Sequence, residues 1–64
     1  MPTLTDLKAH ALDKALEYPM FKEEIYKMVD EAQENIENGY KITQECILTI
    51  KRIDNFVMEK AFWD

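Results

Sequence analysis

The chain has 64 residues, a net charge of −5 and a single cysteine. This length allows one domain and lies near the lower limit for a self-sufficient core, which favours self-association. Eight basic against thirteen acidic residues argue against binding to duplex DNA or RNA and to membranes, since both need clustered basic residues. No apolar run approaches the roughly 18 residues of a membrane span, and no signal peptide is recognisable. One cysteine cannot form an internal disulfide, which fits a reducing, cytoplasmic setting.

One glycine and two prolines leave little room for strands or long loops, so the predicted fold class is all-α. The predicted single domain has a short N-terminal helix and a long antiparallel helical hairpin, completed by oligomerisation. The predicted helices cover residues 4–17, 20–38 and 44–62.

The first predicted helix has apolar residues on two sides. Thr3 and Asp6 have the spacing of a capping box at its start. One apolar line consists of Leu4, Leu7, Ala11 and Ala15. The nearly opposite line consists of Ala9, Leu12 and Leu16. A helix that is apolar on two sides is sandwiched, so we expect Leu12 and Leu16 to face a second subunit. His10 lies between the lines and is expected at the surface or an interface, since no further metal ligands accompany it.

The second predicted helix follows the break at Tyr18-Pro19. Its core stripe is Phe21, Ile25, Met28, Val29, Ala32 and Ile36. Lys22 falls inside this stripe by helical projection, four residues from both Tyr18 and Tyr26. It is either a lysine that extends to solvent at the end of the hairpin or a cation between aromatic rings. The second arrangement suits a ligand that has both a phosphate and a base.

The turn into the third helix has clear local signals. Gly39 is the natural left-handed residue after a helix, and Thr43 is the expected N-cap of the next one. Ile42 and Ile47 have the spacing of a hydrophobic staple.

The third predicted helix carries more apolar surface than one neighbour can cover. Its predicted core residues are Cys46, Ile47, Ile50, Ile53, Val57 and Ala61. Thr49, Phe56 and Trp63 form a second line that either receives the first helix or forms a subunit interface. Leu48 lies nearly opposite the core, which strengthens the case for an intermolecular contact.

Motifs of catalysis are missing from the sequence. There is no glycine-rich phosphate loop, G-x-S-x-G, H-E-x-x-H or C-x-x-C, and serine does not occur. Cys46 has no oriented base beside it, so we expect a buried structural thiol rather than a nucleophile. The sequence therefore predicts a protein that is not an enzyme and has neither a cofactor nor a metal. A ligand site would have to form between subunits.

Residues 43–58 resemble the second hairpin helix of a family of small phage proteins. This family is the anti-CBASS sponges, which sequester cyclic nucleotide signals of bacterial immunity, and its hairpin domain also occurs in anti-Thoeris proteins. The residues that agree with the family pattern are Thr43, Glu45, Leu48, Ile50, Arg52, Ile53, Asp54, Val57 and Met58. The sequence departs from that pattern at Gln44, where arginine is usual, and at Glu59, where an aromatic residue is usual.

The resemblance implies a phage protein in the host cytoplasm that forms an oligomer and binds a cyclic oligonucleotide between protomers. The residues that would then stack on bases or contact phosphates are Phe21, Lys22, Tyr26, Lys51 and Arg52. The alternative is an acidic inhibitor or regulator that blocks a host protein, for example its nucleic-acid-binding surface, through Leu48, Phe56 and Trp63. A further alternative is a structural subunit of a helical assembly.

Overall fold

Three α-helices make up most of the chain. The computed structural model describes residues 2–63, apart from the side chain of Trp63. Its helices are α1 (Leu4–Glu17), α2 (Lys22–Glu37) and α3 (Ile42–Trp63), with a short 3-10 helix, Pro19–Phe21, before α2. No strand occurs within residues 2–63, so the all-α prediction is confirmed. None of the described helices is both long enough and apolar enough to cross a membrane.

A capping box starts α1, as predicted from the spacing of Thr3 and Asp6. The Thr3 N–H donates to Asp6 Oδ2 at 3.0 Å, and the Asp6 N–H donates to Thr3 Oγ1 at 3.2 Å. These two bonds satisfy backbone donors that have no partner within the helix. At the other end, the Tyr18 N–H donates to the Lys14 carbonyl at 2.8 Å. Pro19 then starts the 3-10 helix, where its missing N–H costs nothing.

The connection between α2 and α3 is a tight turn that depends on Gly39. Gly39 has φ +106°, which confirms the prediction of a left-handed residue. Its N–H donates to the Ile36 carbonyl at 3.1 Å, and the Tyr40 N–H donates to the Asn35 carbonyl at 3.1 Å. This pair of bonds is a Schellman motif, which satisfies the last carbonyls of α2.

The start of α3 differs from the prediction. The helix begins at Ile42, so Thr43 lies inside its first turn and the prediction that Thr43 caps it is wrong. The Lys41 carbonyl accepts from the Glu45 N–H at 3.0 Å. Because this is already an i to i+4 bond, the capping position is at Lys41, two residues before Thr43.

The core is built from one line of small and medium side chains on each helix. The buried residues are Leu7, Ala11, Ala15, Ile25, Val29, Ala32, Cys46, Thr49, Ile53 and Val57. On α1, the predicted inner line is therefore correct. On α3, Ile47 and Ala61 are exposed although both were predicted in the core, whereas Thr49 is buried. The reason is that α3 packs against both α1 and α2, so its buried side faces between them.

Polar contacts connect the three helices. Asn35 Nδ2 donates to Glu45 Oε1 at 2.8 Å, and Arg52 Nη1 donates to Glu31 Oε2 at 3.2 Å, so both contacts join α2 to α3. His10 Nε2 lies 2.7 Å from Asp54 Oδ1 and joins α1 to α3.

We expect Gly39→Ala to lower the free energy of unfolding by about 1 kcal/mol, since an L-residue is strained in the left-handed region. No atom lies within 4 Å of the position that a Cβ would take, so the loss reports backbone strain and not a clash. The measurement is urea denaturation followed by circular dichroism. Asn38→Ala is the matched control, because Asn38 has φ −85° and should change stability by less than about 0.5 kcal/mol. Equal losses in the two variants would contradict the prediction.

Candidate functional site

An aromatic cluster joins the start of α2 to the second half of α3. The Phe21 ring meets the Phe56 ring edge-on, with centroids 5.5 Å apart and an angle of 82° between planes. The Tyr18 and Phe21 rings are stacked, with centroids 6.2 Å apart. Aromatic pairs of this geometry add to the energy of burial. Phe56, predicted at a subunit interface, is half-buried against the protomer's own core.

Two lysines lie at the same end as the aromatic cluster. Lys22 is the first residue of α2, directly after Phe21, and its side chain is exposed. Tyr18 lies before the 3-10 helix of residues 19–21, so its four-residue spacing from Lys22 is not one turn of a continuous α-helix. Lys60 Nζ lies 6.0 Å from the centroid of the Phe56 ring.

The five residues predicted to bind a ligand do not converge on one site within a protomer. Tyr26 is half-buried against the core, Lys51 is exposed, and Arg52 is held by Glu31. Glu31 lies nine residues beyond Lys22, which is about 14 Å along α2 at about 1.5 Å per residue. Phe21 and Lys22 are adjacent at the aromatic end, and Tyr26 follows one turn further along α2.

A second surface, the turn-end surface, lies at the opposite end of the molecule. We define it by Tyr40, Ile42, Ile47 and Leu48, all of which are exposed. Beside it is a shallow concavity of about 540 Å³ lined by Lys41, Ile42, Thr43, Gln44, Ile47 and Leu48. Of these four residues, only Leu48 was predicted from the sequence to make an intermolecular contact, and Ile47 was assigned to the core. The sequence could have indicated that one of the two is exposed, because Ile47 and Leu48 point about 100° apart and a single core direction cannot bury both.

The side of α2 that faces solvent is strongly acidic. Six acidic and two basic residues lie within Lys22–Glu37. The exposed acidic side chains are Glu23, Glu24, Asp30, Glu31, Glu34 and Glu37. Glu34 and Glu37 belong to the last turn of α2, so they bring acidic charge to the end of the molecule that carries the turn-end surface. We call these two residues the acidic rim; the exposed Lys41 in the lining of the concavity is a basic residue at the same end.

A third surface is the outer face of α1, which we define by Thr5, Ala9, Leu12 and Leu16. All four residues are exposed, with Leu12 50% and Leu16 73% accessible. Leu12 and Leu16 are thus free to make the predicted subunit contact. Trp63, the remaining predicted interface residue, has a side chain outside the described part of the structure.

The protein's histidine and cysteine take part in packing. His10 is half-buried in its contact with Asp54. Cys46 is fully buried, and burial raises the pKa of its thiol, with smaller contributions from the carboxylates of Asp6 and Glu45. A raised pKa disfavours the nucleophilic thiolate. Within residues 2–63, no three His, Cys, Asp or Glu residues are grouped so that they could hold a metal ion.

Comparisons with known proteins leave the family open. No protein-family model matches the chain, and searches of curated proteins and of solved structures each give no significant match.

We expect Cys46 to resist alkylation by iodoacetamide in the folded protein at pH 8 and to react fully in guanidinium chloride, because the buried thiol stays protonated. Leu48→Cys supplies the matched control, since position 48 is exposed on the same helix. In the native variant, mass spectrometry should show one modified thiol, and after unfolding it should show two. Rapid loss of both thiols under native conditions would contradict the burial of Cys46.

Proposed function

We propose that this protein is a non-catalytic, acidic binding protein that blocks a basic surface of a partner protein. The observation that carries the proposal is the turn-end surface, where four exposed apolar side chains lie beside an acidic rim. Interfaces between proteins commonly combine an apolar centre with a polar rim. A soluble monomer has little other reason to expose a contiguous apolar surface.

The charge distribution supports a basic partner. With a net charge of −5, the protein attracts positive surfaces over a distance of about 8–10 Å at physiological salt. Glu34 and Glu37 place acidic charge where the apolar contact would form. A basic surface that normally binds nucleic acid fits these requirements, and blocking it would inhibit its owner.

We further propose that the protomer, with α2 and α3 as its helical hairpin, self-associates. The support is the outer face of α1, whose leucines have no apolar neighbour within the protomer's own core. In a chain this short, an apolar face that stays exposed to water contributes nothing to the stability of the fold, and a second subunit would remove it from solvent.

The first test is capture by the immobilised protein and by surface variants. Wild type should retain one dominant partner from a bacterial lysate, and nucleic acid should release it by competing for the same basic surface. Leu48→Lys should abolish capture, and Glu34→Lys with Glu37→Lys should weaken it about tenfold or more, since rim charges affect association. Met58→Lys is the matched control, because Met58 is an exposed apolar residue of α3 outside the turn-end surface. Equal capture by wild type and Leu48→Lys would contradict the proposal.

A second candidate function is the sequestration of a cyclic oligonucleotide between subunits, as the resemblance of residues 43–58 implies. Its support is the pair of lysines beside the aromatic cluster. In two antiparallel helices, residues at the same level have residue numbers with a nearly constant sum. For Lys22 and Lys60, this sum lies between those of the two observed contacts, Asn35 with Glu45 and Glu31 with Arg52. These two lysines are therefore at the same level along α2 and α3, at the end that carries the aromatic cluster.

For this second function, cyclic di- or trinucleotides at micromolar concentration should raise the melting temperature. Ligand at 100 times Kd stabilises the folded state by about 2.7 kcal/mol, a rise of roughly 10 °C or more for so small a domain. Lys22→Glu and Lys60→Glu should each remove the rise without unfolding the protein. Lys27→Glu is the control, since Lys27 is exposed on the same helix as Lys22. An unchanged melting temperature across a panel of such nucleotides would rule out this function.

A further inference from the structure

The outer face of α1 has the residue spacing of a coiled-coil seam. Thr5, Ala9, Leu12 and Leu16 are separated by four, three and four residues, which is the spacing of alternating d and a positions. The inner line of α1, with Leu7, is buried against α2 and α3. The helix therefore presents two apolar faces, and only the inner one is used within the protomer.

Charged residues flank this seam on opposite sides. Ala9 occupies position a, so Lys8 before it occupies position g; Leu12 occupies position d, so Asp13 after it occupies position e. Both side chains are exposed, and neither belongs to an ion pair within residues 2–63. In parallel coiled coils, a residue at g meets residue e of the next heptad on the other helix. Lys8 and Asp13 have the five-residue separation that this contact requires.

We propose that the outer face of α1 binds the same face of a second copy of this chain, with the two α1 helices parallel and in register. This inference rests on the self-association proposed above and specifies its geometry. Leu12 and Leu16 pack against their own counterparts across the two-fold axis. Lys8 of each copy pairs with Asp13 of the second copy, which gives two symmetric ion pairs.

The charges on α1 disfavour the antiparallel arrangement. In an antiparallel pair, e positions face e positions, so Asp6 of one copy would approach Asp13 of the other. Two such repulsive contacts would form, and Lys8 would face the uncharged Ala15. The parallel arrangement turns both flanks into attractive contacts. Charge complementarity therefore selects the orientation as well as the occupant of this surface.

The size of the face predicts the strength of pairing. A helix of 14 residues is about 21 Å long and about 10 Å wide. Its contact area is thus smaller than the roughly 800 Å² that each partner contributes to a standard interface. We therefore expect a weak dimer, populated at micromolar to millimolar protein concentration, in which two ion pairs change the affinity measurably.

Charge reversal tests the orientation, with dimerisation measured by sedimentation equilibrium. Lys8→Glu alone and Asp13→Lys alone should each weaken dimerisation about tenfold or more, because both symmetric contacts become repulsive. An equimolar mixture of the two variants should restore dimers at about the wild-type affinity, since every contact in the heterodimer is again attractive. Leu16→Lys should abolish pairing. Lys27→Glu on α2 controls for net charge and should have little effect, and circular dichroism verifies that each variant is folded.

Each alternative outcome is distinct. If Asp13→Lys strengthens the dimer, the helices are antiparallel, because the reversed charge then attracts Asp6. If the dimer survives Leu16→Lys and both charge reversals, self-association is correct but α1 is not its surface. If wild type remains monomeric at millimolar concentration, both this inference and the proposed self-association are wrong.

Discussion

The packing of α1 between α2 and α3 determines most other features of the molecule. Its inner line contains Leu7, which is fully buried, and two alanines, Ala11 and Ala15, which let the neighbouring helices approach closely. The capping box fixes where the helix begins, and the contact between His10 and Asp54 links it to α3. Since α2 and α3 alone would leave one side of their contact open to water, the third helix is needed to enclose the core.

This close packing also explains why so much apolar surface remains outside. Most buried side chains are no larger than isoleucine or leucine, so the core has room for few of the larger residues. Many of the exposed apolar residues lie on the outer face of α1 and on the turn-end surface, with Met20, Met58 and Phe62 elsewhere, whereas α2 presents acidic side chains to solvent. This separation of apolar from acidic surface is the basis of the proposed binding to a partner protein.

Local signals in the sequence predicted the fold better than they predicted the surfaces. The capping box at Thr3 and the left-handed Gly39 depend on neighbouring residues only, and both are correct. Ile47 was predicted in the core but is exposed, because the buried side of α3 depends on where α1 and α2 lie and not on hydrophobicity alone.

The predicted binding residues show the same limit. Arg52 looks like a free cation in the sequence, but a glutamate 21 positions earlier neutralises it across the contact between α2 and α3. Lys60 was not predicted as a binding residue from the sequence, and it becomes a candidate only because its Nζ lies near the Phe56 ring. Pairings between distant residues decide which charges are available, and residue spacing within one helix does not contain that information.

The two proposed contacts, one on α1 and one at the turn end, have a joint geometric consequence. The carboxylate of Asp6, near the start of α1, influences Cys46, near the start of α3, so both helices begin at the same end of the molecule. Parallel pairing through α1 would therefore place two turn-end surfaces side by side and facing the same way. Such a dimer could contact a partner at two sites, and the second contact would form at high effective concentration.

This arrangement matches partners that are themselves two-fold dimers, as many nucleic-acid-binding proteins are. An antiparallel pair would direct the two turn-end surfaces away from each other, and each would then bind with the affinity of a single small contact. Because the turn-end surface comprises only four apolar side chains and an acidic rim, one such contact is weak. The orientation of α1 in the proposed dimer would thus decide whether a protein of 64 residues can block a partner effectively.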